Sequence, residues 1–361
     1  MESTIAQGDA APVVNKTYQP KAFHFHGKAG EFFKIWVVNV VLSILTLGIY
    51  SAWAKVRTNR YFFSHTELDG HRFSYLAQPL QILKGRIIAV VLFGGFYLLN
   101  LFAPVAGLVA SLLFLVLMPF LICASMRFNM RMTSYRNVRF DFKGSPWDAA
   151  INFILLPVAS VFTLYLLLPW VLKRMDKFIV DNTRYGNKAF NTKITSGTYY
   201  MAALATIGLT LGLMLFFGVM MAIIGGVGAE AFQQDGATSA LVTIVTMGIY
   251  LLFFTFIQAL YKSIIRNYLF ENTELDDVAT FASSFQFSSL AWLQISNIVA
   301  LVCTLGFAYP WTKVRTANYT VNNTQINICD DIQPVIDTIV EETSALGDEV
   351  ANVFDVDVAL T

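Results

Sequence analysis

Trp53, Arg57 and Tyr61 stand four residues apart in LTLGIYSAWAKVRTNRYF. Side chains at i, i+4 and i+8 share one face of a helix, so the spacing sets a guanidinium between two rings. Two chemistries suit such a face. It can anchor a helix end at a membrane interface, where Trp and Tyr seek the boundary and Arg the headgroups. It can also bind a lipid phosphate or another anion. The set recurs as Trp170, Arg174 and Phe178 and again as Trp311, Arg315 and Tyr319.

A second group is uncharged. Asn39, Ser43 and Thr46 form one stripe at i, i+4 and i+7, and Asn152, Thr163, Asn297 and Thr304 recur in the other two segments. Polar side chains in apolar helices either bond neighbouring helices together or line a path. His24 and His26, two apart on a strand, would face one side as metal ligands, with His65 and His71 as further candidates. Their counterparts Asp141/Lys143 and Gln286/Ser288 keep no ligand pattern, and no Cys or carboxylate cluster backs them. No metal or cofactor is therefore expected. Without a P-loop, a nucleophile elbow or an HExxH, no enzyme is expected either.

The elements that must position these residues are membrane helices. The 361 residues are 56% hydrophobic and 14% charged, against about 25% charged in a soluble chain. Several apolar runs reach the roughly 20 residues that cross a bilayer. The polar first 20 residues predict no cleavable leader. Cys123, Cys303 and Cys329 are too scattered for a disulfide framework. None of the 25 Lys and Arg lies between Arg86 and Arg127 or between Lys193 and Lys262. Basic residues gather on the cytoplasmic side, so each gap reads as a transmembrane helical hairpin. Segments 31–54, 147–172 and 288–312 have basic residues on both flanks. They either cross fully or break and return, at Thr46-Leu47-Gly48, at Pro157 with Pro169-Trp170, and at Thr304-Leu305-Gly306 with Pro310-Trp311.

Aligning on the Trp extends the template. Thr46, Thr163 and Thr304 precede it by seven residues, and Thr66, Thr183 and Thr324 follow. Weaker copies, Phe120/Phe128/Thr133 and Leu260/Tyr268/Thr273, end the two hairpins. Turn signals come next, at Leu68-Asp69-Gly70-His71, Tyr185-Gly186-Asn187 and Leu275-Asp276-Asp277. Period-two alternation at Phe23–Gly27, Phe140–Gly144 and Phe285–Ser288 predicts strands. The fold expected is an all-α polytopic membrane protein. It has two transmembrane hairpins, three broken or re-entrant segments, an internal duplication and short β-hairpins on the cytoplasmic face. A polar segment spans 1–21 and the membrane domain 22–326, with repeats starting near 22, 139 and 285. An acidic tail follows at 327–361, its apolar residues spaced for an amphipathic helix.

F-H-F-H-G, then T-L-G-I-Y-S-A-W-A-K-V-R-T-N-R-Y-F and L-D-G-x-R-F-S-Y, resembles the YjgN-type family of bacterial inner-membrane proteins, over roughly residues 22 to 326. The resemblance implies a bacterial inner membrane. The family is a domain of unknown function, so it supplies no catalytic residue, substrate or cofactor. From the residues, both termini are expected in the cytoplasm. The expected partners are membrane lipids, a small anionic or amphipathic solute, and a protein at the acidic tail, with no nucleic acid. Two functions remain open: a transporter- or channel-like module with a basic, aromatic-lined surface facing the cytoplasm, or a non-catalytic lipid-interacting or scaffold protein of the envelope.

Overall fold

The computed structural model describes residues 18–228, 236–276 and 278–329. One order of elements, strand–helix–helix–strand, occurs five times along them. First come β1 (Tyr18–Phe25), α1 (Ala29–Leu45), α2 (Ser51–Ser64) and β2 (Thr66–Leu68). Next are β3 (His71–Tyr75), α3 (Pro79–Phe102), α4 (Pro104–Arg131) and β4 (Thr133–Tyr135). The third module runs β5 (Val138–Phe142), α5 (Pro146–Ala150), a π-helical turn (Ile151–Leu155), α6 (Leu156–Phe162), α7 (Leu168–Asp181) and β6 (Thr183–Tyr185). The fourth is β7 (Lys188–Thr192), α8 (Ser196–Gly228), α9 (Gly236–Glu271) and β8 (Thr273–Leu275). The fifth is β9 (Ala279–Ser283), α10 (Phe287–Cys303), α11 (Tyr309–Asn322) and β10 (Thr324–Cys329).

The strands close into an antiparallel barrel, and this overturns the all-α expectation. Each module's two strands pair with each other, tight turns join successive modules, and β10 pairs with β1 to seal the ring. Odd strands feed the helices and even strands receive the chain from them, so every helix pair leaves from the same end of the barrel. The helices form a second closed ring: α2 packs on α3, α4 on α5, α7 on α8, α9 on α10 and α11 on α1. The strand expected at Phe285–Ser288 is also corrected. It lies earlier in the chain, at Ala279–Ser283, and Phe287 already begins α10.

Local chemistry explains the recurring threonines. Thr66, Thr133, Thr183, Thr273 and Thr324 each begin a strand and donate the hydroxyl to the carbonyl four residues back, at 2.9, 3.2, 2.8, 2.6 and 2.6 Å. A carbonyl stranded at the helix end gains a partner this way. Thr46, Thr163 and Thr304 do two jobs at the tips of the short hairpins. Thr304 Oγ1 donates to the Ala300 carbonyl at 2.6 Å and accepts from the Ala308 amide at 2.9 Å. The turn that follows uses left-handed backbone: Leu47 and Gly48, Leu164 and Tyr165, Leu305 and Gly306 all have positive φ. Leu47, Leu164 and Leu305 at these tips are 94%, 85% and 90% exposed. A Thr304→Val variant keeps the shape and loses both bonds. It is expected to cost about 1–2 kcal/mol, read as a fall in thermal midpoint in detergent.

Four helices are long and apolar enough to cross a membrane: Pro79–Phe102, Pro104–Arg131, Ser196–Met220 and Thr243–Glu271. Little of their apolar surface is covered by protein. The helices of the short hairpins are briefer. The 17 residues of α1 rise about 25 Å, less than the roughly 30 Å of a hydrocarbon core. Pro169 and Pro310, read as helix breaks, instead occupy the first turns of α7 and α11, where a missing N–H costs nothing.

One ion pair ties a long hairpin to the barrel. Arg131 Nε donates to Asp141 Oδ1 at 2.8 Å. Burial alone would raise the Asp141 carboxyl, but that bond and the nearby charge of Arg131 hold it below its ordinary value. A depressed carboxyl stabilises the fold above its unfolded value of about 3.9, and the contribution fades as pH falls through the folded value. With Arg131 half-exposed the pair is worth at most about 1 kcal/mol. Melting between about pH 5 and pH 3 should fall less steeply in Asp141→Asn than in the natural chain.

Candidate functional site

The barrel interior is built in two layers. Phe23, Phe73, Phe140, Phe190 and Phe281 occupy one matching position in each odd strand and line the inside. Phe23 and Phe73 stack at 6.3 Å, Phe140 and Phe190 at 6.5 Å, and Phe190 and Phe281 at 5.7 Å. The second layer is Leu68, Tyr135, Tyr185, Leu275 and Ile326, each two residues past the helix-ending threonine. Tyr135 donates to the Leu68 carbonyl at 2.8 Å and Tyr185 to the Tyr135 carbonyl at 3.0 Å. Burial pushes the Tyr135 phenol up to about 12, so it stays a donor at neutral pH.

Above this floor, where barrel meets helix ring, lies a cavity of about 360 Å³. Its walls are hydrocarbon and aromatic, drawn from all five modules; Arg266, Thr320 and Thr324 stand among them beside the hydroxyl-bonded Tyr135 and Tyr185. Arg266 and Phe270 also border a second cavity of about 560 Å³ between α7, α8 and α9, which adds Asp176, Gln258, Tyr261 and Lys262. A third, of about 230 Å³, shares Phe190, Phe270 and Phe281 with the first. The three therefore meet at Phe270, and Arg266 borders the first two.

Arg266 is held unusually. Its guanidinium lies over the Phe270 and Phe285 rings, 4.3 and 4.5 Å from their centroids. One terminal nitrogen donates to Thr324 Oγ1 at 2.9 Å, and the buried Nε has no partner. No described carboxylate forms an ion pair with it. Asp176 accepts from the Tyr199 hydroxyl at 2.7 Å instead. Burial raises its carboxyl above the ordinary value, against that hydrogen bond. An unpaired guanidinium within a low-dielectric wall attracts anions strongly.

The residues singled out from sequence sit elsewhere. Tyr61 Oη accepts from the Lys28 amide at 2.8 Å and donates to the Lys28 carbonyl at 2.9 Å. Tyr319 Oη donates to the Gln286 carbonyl at 3.3 Å. Both hold the start of their module's first helix, and Phe178 fills the same place under Phe142. The Trp–Arg stacks form at Trp170 with Arg174 (5.3 Å) and Trp311 with Arg315 (5.0 Å). Arg57 turns to the Tyr50 hydroxyl, while Tyr50 stacks on Trp53. Arg57 and Tyr61 border an open groove of about 430 Å³ beside Phe73.

The asparagines join paired helices. Asn39 donates to the Ala54 carbonyl, Asn152 accepts from Arg174, and Asn297 donates to Thr316 and accepts from Arg315. Ser43 contributes its carbonyl to the Gly48 amide of the tip, and Thr46 and Thr163 cap the tips as Thr304 does. His26 pairs with Glu67 at 3.1 Å, and no group of three metal-ligating side chains converges among the described residues. The acidic tail beyond Cys329 lies outside them.

Sequence reasoning missed Arg266 and Asp176, although a signal was present. Both stand seven residues before the helix-ending threonine, where the other modules carry Asn59, Met126 and Ala317. A template position that changes charge between copies marks a face with a job other than packing.

Comparison with known proteins agrees with the membrane character of these helices. The model of a family described as "Bacterial protein of unknown function (DUF898)" matches residues 20–353. The chain is 27% identical over 370 aligned residues to the inner membrane protein YjgN of Escherichia coli strain K12, covering 88% of this chain and 91% of that protein. It is 25% identical over 350 residues to the YjgN of Salmonella typhimurium, covering 84% and 87%. No solved structure matches. With residues 20–353 matched by its model, the chain belongs to the DUF898 family of bacterial proteins, whose YjgN relatives are named inner membrane proteins.

Proposed function

We propose that the protein is a transporter-like module of the inner membrane that takes its solute into the axial lumen. The observation that carries this reading is the cavity of about 360 Å³ walled by residues of all five modules and bordered by an unpaired guanidinium. Cavities of this size with few placed polar groups are the usual form of a small-molecule site. The hydrocarbon floor argues for a bound solute rather than a stream of hydrated ions, which needs polar groups along its path. The five modules are read as copies of one ancestral unit, two of them with lengthened helices that span the bilayer. The three short hairpins enter from one side, and their exposed leucine tips rest in hydrocarbon. The threonine caps satisfy the tip backbone there, as depth in the membrane requires.

On this reading the barrel, its turns and both chain ends face the cytoplasm, where basic residues gather. A cysteine at Asn187, on a barrel turn, should resist an impermeant maleimide in intact cells lacking Cys123, Cys303 and Cys329, while one at Ala103, between α3 and α4, should react. Labelling at position 187 in intact cells would reverse the orientation. Transport itself is tested by flux into proteoliposomes, beginning with amphipathic anions. Binding without flux would favour the second reading, a lipid-interacting envelope scaffold, which the closed aromatic floor also suits.

A further inference from the structure

We infer that Arg266 is the recognition residue for a single-tailed amphipathic anion, its carboxylate or phosphate head on the guanidinium and its tail in the phenylalanine-walled cavity. This rests on the lumen reading above and names the class of ligand.

Three observations converge. First, a half-buried charge without a counter-ion carries part of the cost of desolvation, which an incoming anion would offset. Arg266 has a hydroxyl partner in Thr324, a free buried Nε and no described carboxylate in ion-pair range. Second, the nearest ionisable neighbours leave a positive balance. The adjoining cavity holds Lys262 one helical turn earlier and a single acid, Asp176, already bonded to Tyr199. Third, what lies next to Arg266 is hydrocarbon. The cavity is walled by the phenylalanine collar and by Leu275, Ile326 and Ile328. A free inorganic anion would gain nothing from that wall, whereas an amphiphile fills both halves. A volume of about 360 Å³ takes roughly a dozen water-sized groups, which suits one tail of about ten carbons.

The two aromatic faces on Arg266 serve recognition. Phe270 and Phe285 cover the faces of the guanidinium and fix its plane, so an incoming oxygen meets it at the terminal nitrogen that Thr324 leaves unbonded. Charge-assisted bonds of this kind are the strong ones, and Lys cannot reproduce the fork.

The test uses the full-length protein in nanodiscs of zwitterionic lipid, with decanoate, decyl phosphate and decanol as probes. Binding is read by calorimetry and by the shift in melting temperature, which rises with ligand by mass action. Decanoate or decyl phosphate should bind at least tenfold tighter than decanol, and whichever is tighter identifies the head. Arg266→Met should abolish the difference between anion and alcohol. Its unliganded melting temperature should be equal to or above that of the natural chain, because a half-buried unpaired charge has been removed. Arg266→Lys should keep the fold and lose at least tenfold in anion affinity. Arg72→Gln, at an exposed ion pair with Glu67, should bind like the natural chain.

The inference is overturned if decanol binds as tightly as the anions, or if Arg266→Met binds anions unchanged. It is also overturned if that variant unfolds while Arg266→Lys binds normally, which would make the residue structural. Anion binding at Arg266 without flux leaves the inference standing and removes the transporter. Flux of another solute that persists in Arg266→Met does the reverse.

Discussion

Phe142→Ser alone should cost about 3–5 kcal/mol, and adding Gly144→Phe should restore at least half of the loss. The reason is a trade of volume between two positions. Phe142 is fully buried, and a Cβ on Gly144 would meet its ring at 2.5 Å and the Phe178 ring at 2.7 Å. Gly27 is crowded in the same way by Phe25 and Tyr61. In the second module the pair is Tyr75 and Ala77, again an aromatic with a small residue. The last two modules invert it: Thr192 stands with buried Ile194, and Ser283 with Phe285, whose ring meets Tyr319 at 5.0 Å. One space beside the second helix is thus filled from either of two backbone positions. Gly144→Phe by itself overfills it and should cost about 1–3 kcal/mol or prevent folding. Melting of the two single variants and the double in detergent gives the coupling. Additive losses would show that the modules do not share this packing.

A cross-link between the first and last strands should stabilise the protein more than any other single change. Ala22 opposes Gln325 in the β1–β10 pair, and both side chains are exposed. Antiparallel partners have Cα atoms about 4.5–5.5 Å apart, inside the range a disulfide spans. Cysteines at both positions, in a chain lacking Cys123, Cys303 and Cys329, should oxidise readily and migrate faster on a denaturing gel. The bond closes a loop of about 300 residues, for which the chain-entropy model gives roughly 5 kcal/mol, so the melting temperature should rise by many degrees. The converse variant, Ile326→Pro, removes a ladder hydrogen bond in a strand paired on both edges and should cost about 3 kcal/mol or more. Failure to cross-link under oxidation would mean that the barrel is open at this seam.

Much of the local architecture is legible in residue order. The apolar runs and the two gaps in basic residues identify the long hairpins, because bilayer thickness and charge asymmetry act on the chain segment by segment. The threonines mark helix ends through bonds that span four residues. Asp69-Gly70 and Asp276 mark tight turns through left-handed backbone. The barrel was not legible in this way. Four of its even strands, β2, β4, β6 and β8, are three residues long, too short for alternation to stand out, and the Phe285–Phe287 alternation imitates a strand where a helix begins.

What the sequence by itself determined is therefore the membrane setting, the helix ends and the recurrence of one template. Each arises from interactions between neighbours in the chain or with the solvent. Only the tertiary structure decided that β10 meets β1, that five phenylalanines far apart in sequence line one cavity, and that Arg266 borders that cavity without a carboxylate. Those facts depend on closure of the ring. The direction a side chain faces inside a closed ring is settled by the last pairing to form, and no local run of residues encodes it.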